Sequence, residues 1–365
     1  MVAIYTALLL AAPQWGKHAV GLEVAALEDS TRPREGKPRP IQMSLWYPAE
    51  KGGQEDLTFG DYVTLLASEL GPASPEQVRT AVEEHASFLR TRAKMSEADV
   101  ERWLARPMRA VPRAPPLGTA VPLVLVAQGS GNSASDQADL CELLASHGFA
   151  VATSPSPTRI TGPMKSEEDI AHTAEDQALD LAVLAKAARE RPFVAKDRTA
   201  LVAHSFGARS ALLYAMRDGA AALVSLDGGI GTRTGQDELR KSRFFDAARA
   251  KLPILHIYEQ LDAFMAPDFS LLRSLPGADV RLVRASHLHH MHFTTVGEAV
   301  GQFPALAQVT HADSRTPRAY DDVANATVAF LKATLADAPG RARIDRALSH
   351  LGSTLAVTKK LTRSE

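Results

Sequence analysis

The sequence predicts a mostly parallel, doubly wound α/β sheet of eight strands, with helices on both faces and a helical insertion. Three observations predict it. From residue 122 onward, short apolar runs alternate with longer helix-compatible stretches: PLVLVA (122–127), FAVAT (149–153), TALVA (199–203), ALVSL (222–226), PILHIY (253–258) and VRLVRA (280–285). Near-continuous apolar runs of that length suit parallel strands covered on both faces, and the alternation suits crossover helices. Ahead of them, AVGLEVAAL (19–27) and PIQMSLWYP (40–48) carry the alternating, β-branched and aromatic residues of an antiparallel pair at one sheet edge. Finally, polar or glycine-rich turns follow the runs, where sheets of this kind bind their ligands.

A chain of 365 residues can bury one large α/β domain with additions. It is 45% hydrophobic and 23% charged with a formal net charge of -1, so nothing electrostatic points to nucleic acid or an anionic membrane as partner. Cys141 is the only cysteine, which excludes an intrachain disulfide and a cysteine-built zinc site. Residues 1–14 form an apolar segment whose run Ala7 to Ala12 is too short to span a bilayer. It reads either as an arm packed on the domain or as the remnant of an export signal, with Lys17 the first basic residue, and localisation stays open between periplasm or outside and cytoplasm.

The expected organisation is a main domain over 15–337, an insertion over 57–117 and a C-terminal extension over 338–365. The proline- and arginine-rich stretches RPREGKPRP (32–40) and RAVPRAPP (109–116) read as connectors. Within the insertion, Ser74, Pro75 and Gln77 supply an N-cap, a first-turn proline and a capping-box partner. Val78, Val82 and Phe88 then contribute an apolar stripe, and Ser96 with Asp99 starts a second helix.

The residues directly after the apolar runs are, in order, AQGSGN, Ser205, Asp227, Asp262 and SHLHHMHF. A serine, then carboxylates, then histidines is the chain order of the α/β-hydrolase triad. The chemistry needs those types: an imidazole takes the serine proton, and a carboxylate on its other nitrogen fixes the tautomer. Ser205 in AHSFG sits at a strand-to-helix corner with Gly207 on the helix side, where an ordinary helix cap is the alternative role. The N–H of Phe206 and that of Ser130, in the glycine-rich loop QGSGN, are the candidate oxyanion donors. Asp227 and Asp262 both qualify as the acid, with a turn aspartate and a helix N-cap as their plainer roles. His287, His289, His290 and His292 supply the base, and without a cysteine or carboxylate at coordinating spacing no metal site is expected there.

The stretches PIQMSLWYPA, VLVAQGSGNSASDQADLCELLASHGFAVATSPSP and ALVAHSFGARSA resemble the branch of the α/β-hydrolase superfamily that includes platelet-activating-factor acetylhydrolases and dienelactone-hydrolase-like enzymes. The resemblance runs from about Gly16 to Leu335 and leaves out the insertion and the tail. It implies Asp227 as the acid, because acetylhydrolase-like members place theirs after the strand following the serine, with Asp262 as the alternative. It implies His290 as the base, three residues before the aromatic Phe293, with His287 second. Two positions depart from the pattern: Gln128 stands where histidine is usual before the loop glycine, and Ala203 replaces the first elbow glycine. The implied activity is a serine hydrolase cleaving a small-molecule carboxylic ester, of short-chain or acetyl type, through an acyl-enzyme and without a cofactor. A non-catalytic binding protein of the same fold, or a hydrolase of amides or thioesters, is the alternative. The insertion is expected to wall the site over the strand ends.

Overall fold

The computed structural model describes residues 14–50, 55–336 and 340–361, so most of the N-terminal apolar segment lies outside the described residues. All eight expected strands are present: β1 (Ala19–Arg34), β2 (Lys37–Ala49), then, after an added β3 (Ala110–Pro112), β4 (Val121–Ala127), β5 (Ala150–Thr153), β6 (Val194–His204), β7 (Leu223–Leu226), β8 (Pro253–Tyr258) and β9 (Asp279–Ala285). A further strand, β10 (Leu355–Leu361), brings the sheet to ten among the described residues, in the order β10-β9-β8-β7-β6-β4-β5-β2-β1-β3. Strands β4 to β9 run parallel, β1 and β2 pair antiparallel, and β10 closes the far edge antiparallel to β9. The count therefore exceeds the expected eight at the two edges only. Neither β3, three residues long, nor β10, with lysines at 359 and 360, carries the apolar run by which the others were recognised.

Alternation along the central strands splits the core into two layers. Leu123, Leu125 and Leu201 face the helices Glu167–Arg189 and Gly207–Asp218, while Val124, Val126 and Val202 face Ala138–Ser146 and Thr316–Thr334. The stretch 32–40, expected as a connector, is instead a hairpin. Glu35 and Gly36, at φ +50° and +76°, turn β1 into β2, the left-handed pair that a two-residue hairpin requires. Its arginines are bound: Arg39 grips Asp180 through Nε and Nη2 at 3.0 and 2.9 Å, and Arg32 reaches the same carboxylate at 2.6 Å. The second connector, 109–116, likewise contains β3, parallel to β1.

The insertion carries three α-helices, Phe59–Thr64, Pro75–Thr91 and Glu97–Leu104, with a 3-10 turn Leu65–Ser68 between the first two and β3 near its end. The Ser74 capping box and the Ser96 cap form as expected. Phe88, however, is 58% exposed, because the helix turns Ala86 and Leu89 inward instead. The insertion is fastened to the helix Ala138–Ser146 at Glu142. Trp46 Nε1 donates to the Tyr62 hydroxyl (2.8 Å), which donates to Glu142 (2.6 Å), and the same carboxylate accepts the N–H groups of Arg109 and Ala110. Among the described residues, no helix is long and apolar enough to cross a membrane.

Burial pushes the Glu142 carboxyl up to about 7, against the pull of the Tyr62 hydroxyl and the two N–H groups. A raised folded-state value means the native state holds the proton more tightly than the unfolded chain. Its stability contribution is complete below the ordinary carboxylate range and is lost as pH rises through about 7. In chemical denaturation series over pH 4 to 8, the wild type should lose stability relative to Glu142→Gln as pH rises across that window. Parallel curves would contradict it.

Candidate active site

Ser205 occupies the corner between β6 and the helix Gly207–Asp218, with φ at +54°. A non-glycine residue in the left-handed region is strained, at a typical cost of about 1 to 3 kcal/mol, and the surroundings hold it there. The Ser205 N–H donates to Leu226 O of β7 at 3.1 Å, and its carbonyl accepts the Gly229 N–H at 2.8 Å. Gly207 is required by space: a Cβ there would stand 2.2 Å from Ala127 O. Ala203, by contrast, is a buried residue inside the β6 ladder opposite Ala127 and Ser225, so the departure from glycine on that side costs the turn nothing visible.

The serine does not cap its helix. Its Oγ lies 2.8 Å from His290 Nε2, and His290 Nδ1 lies 2.6 Å from Asp227 Oδ2. Asp227 follows β7 at φ +43°, and its other oxygen accepts the Glu259 N–H at 3.2 Å. An ionised carboxylate only accepts, so His290 Nδ1 carries the proton and Nε2 is left to accept from Ser205. The glycine beside Asp227 is also forced, since a Cβ on Gly228 would meet Ser225 Oγ at 2.2 Å and Ala208 Cβ at 2.3 Å. Three residues from the ends of β6, β7 and β9 thus form one continuous proton path, with His290 and Asp227 buried and Ser205 half-buried.

The two alternatives make other bonds. His287 pairs with Asp313 at 2.7 Å. Asp262 makes no cap bond to the short turn Ala263–Met265; it holds the His289 ring and the His290 backbone N–H. Burial pushes its carboxyl up, but those two partners outweigh burial and the net direction is down.

The loop after β4 approaches the serine closely, for a Cβ on Gly129 would stand 3.1 Å from Ser205 Cβ. Ser130 comes next, and among the described residues no acceptor takes its N–H or that of Phe206. The loop is pinned from both sides. Thr158 Oγ1 accepts the Gly131 N–H at 2.7 Å, and Gln128, which replaces the usual histidine, is buried with Nε2 on Thr153 at 3.1 Å. The Gln128 carbonyl accepts from Gln177, which accepts from Ser210 of the elbow helix. Arg159 donates to Gly131 O and pairs with Glu69 of the insertion, bringing that insertion to the loop.

Sequence reading missed two contacts of the His290 ring. His204 stacks on it, centroids 4.8 Å apart at 29°, and burial followed by the nearby His290 holds His204 well below the ordinary histidine range. Phe264, 67% exposed, meets the same ring edge-on at 5.3 Å. His204 was adjacent to Ser205 in the elbow, so its proximity was readable; Phe264 carried no such signal.

Among solved structures, the chain is similar to a ferulic acid esterase from Streptomyces cinnamoneus, with a TM-score of 0.67, 19% identity, and 96% of this chain and 99% of that one covered. The fold is that of the α/β-hydrolases. No family model and no curated protein matches the chain. Within the α/β-hydrolase sheet, β1, β2 and β4 to β9 are the eight expected strands.

Two substitutions test the corner. Ala203→Gly should lower stability by about 0.5 to 1 kcal/mol through backbone entropy and leave the geometry intact. Gly207→Ala should cost at least about 1 to 3 kcal/mol, because Ala127 O has to move. Thermal or urea unfolding of both checks this, and equal costs would contradict the assignment of Gly207 as the tight side.

Proposed function

We propose that this protein is a serine hydrolase that cleaves a carboxylic ester through an acyl-enzyme. The observation that carries the reading is the unbroken path from Ser205 Oγ through the His290 ring to Asp227, 2.8 and 2.6 Å long. Ser205 attacks the ester carbonyl while His290 Nε2 takes its proton; Asp227 orients the ring and stabilises the imidazolium. The oxyanion that forms is received by the N–H groups of Phe206 and Ser130. His290 then returns the proton to the leaving alcohol, and a water attacks the acyl group by the same route in reverse. No cofactor enters these steps. His204, held neutral beneath the ring, adds no competing positive charge when His290 becomes protonated.

The acid placed after β7 supports kinship with the acetylhydrolase and dienelactone-hydrolase-like branch, and with it a short acyl group. The insertion 57–117 is brought to the Gly131 loop by Glu69, which pairs with Arg159 beside that loop. A second substrate reading, an ester with an aromatic group, is favoured by Phe264, whose exposed ring meets His290 edge-on, and by the similar ferulic acid esterase.

Steady-state rates on p-nitrophenyl esters of increasing acyl length, together with methyl ferulate, test both. Ser205→Ala should lose on the order of 10⁶ in kcat and Asp227→Asn on the order of 10⁴. A short-chain optimum supports the first substrate reading, and methyl ferulate as the better substrate supports the second. Unchanged rates in Ser205→Ala would contradict the mechanism itself.

A further inference from the structure

The second carboxylate at this sheet edge has its own function. Asp262 follows β8, and its two oxygens are both engaged with the histidine segment: Oδ2 accepts the His290 backbone N–H at 2.7 Å, and Oδ1 lies 2.8 Å from His289 Nδ1. Asp262 is itself held. The buried Glu259 side chain accepts the N–H groups of Leu261 and Asp262, the latter at 3.0 Å, while the Glu259 N–H donates to Asp227. One turn, 259–262, therefore touches the acid through a backbone N–H and the base through a side chain.

His290 needs such a hold. It lies in a short single-turn segment, His290–Phe293, outside any strand, and His287 ahead of it has φ at +66°. The segment is tied at separate points: Thr316 Oγ1 donates to His287 O at 2.8 Å, and the His289 N–H donates to His292 Nδ1 at 3.0 Å. Of these ties, that of Asp262 is the one made to the His290 N–H itself. A charge-assisted bond there is stronger than a neutral one, and displacing a reacting group by about 1 Å can cost on the order of 100-fold in rate.

We infer that Asp262 is the positioning residue of His290, clamping its backbone so that the ring spans Asp227 and Ser205, with Glu259 holding Asp262 in place. The inference rests on the triad reading above. It separates two carboxylates that the sequence left in competition: Asp227 acts on the ring and Asp262 on the backbone that carries it.

The two roles respond oppositely to replacement by asparagine. At position 262 the amide oxygen can still accept the His290 N–H, and the amide NH2 can donate to His289 Nδ1 once that ring shifts its proton to Nε2. At position 227 an amide NH2 donating to His290 Nδ1 forces the proton onto Nε2, which then cannot accept from Ser205.

The test is kcat and KM on p-nitrophenyl acetate at pH 8 for Asp262→Ala, Asp262→Asn, Glu259→Gln and Asp227→Asn, each checked for folding by thermal melt. Asp262→Ala should lower kcat about 100-fold with KM within about threefold, and Asp262→Asn should recover to within about fivefold of wild type. Glu259→Gln, keeping one acceptor, should fall between them. Should Asp262→Ala fail to fold, Asp262→Ser, too short to reach the His290 N–H, takes its place with the same expectation. A kcat within threefold of wild type in Asp262→Ala or Asp262→Ser overturns the clamp, and so does Asp262→Asn losing as much as Asp262→Ala. Retained activity in Asp227→Asn is a different failure, that of the triad reading.

Discussion

A serine held at φ +54° between the end of β6 and the start of the helix Gly207–Asp218 sets the geometry of everything around it. The strain lifts the hydroxyl clear of both elements, and that is affordable only because the neighbours over-determine the turn. Leu226 O takes the Ser205 N–H, Gly229 bonds its carbonyl, and Gly207 and Gly129 leave room for the strand end and the loop to close in. The same closeness that removes side chains at those glycines brings the loop N–H groups beside the serine. Tight packing and the proposed oxyanion site are therefore one constraint.

Around that corner the molecule separates its charged groups by task. Asp227 meets the His290 ring, Asp262 meets the His290 backbone, and Glu259 links the two residues, its N–H donating to the Asp227 carboxylate and its side chain accepting the Asp262 backbone N–H. Burial pushes the Glu259 carboxyl up to about 7, with the N–H of Leu261 opposing and the Asp227 charge adding to the rise. On the opposite side of the loop, Glu69, Arg159 and Gly131 tie the insertion to the site, while Glu142 anchors its two ends to the core. Changes in the insertion thus reach the loop carrying Ser130 through one ion pair and one hydrogen bond, Glu69 to Arg159 to Gly131.

What the sequence made legible was whatever repeats with a period or falls at a strand end. The six apolar runs and the two alternating stretches became eight strands, and Ser205, Asp227 and His290 came together because parallel strands deliver their carboxyl ends to one edge. What stayed hidden depended on contacts distant in sequence. The arginine-rich hairpin 32–40 looked like a linker because its partner, Asp180, lies about 140 residues away. Phe88 looked like core because helical spacing says nothing about which face meets a neighbour, and it is exposed. Asp262 stayed open as the alternative to Asp227, since spacing along the chain cannot tell a bond to a ring from a bond to a backbone N–H.

The central claim is that Ser205 is a nucleophile activated by His290. Incubation with a fluorophosphonate probe followed by peptide mass mapping tests it most directly. The account predicts a single adduct on Ser205, formed slowly or not at all in His290→Ala. A folded wild type that takes up no probe, or an adduct at another residue, would contradict it.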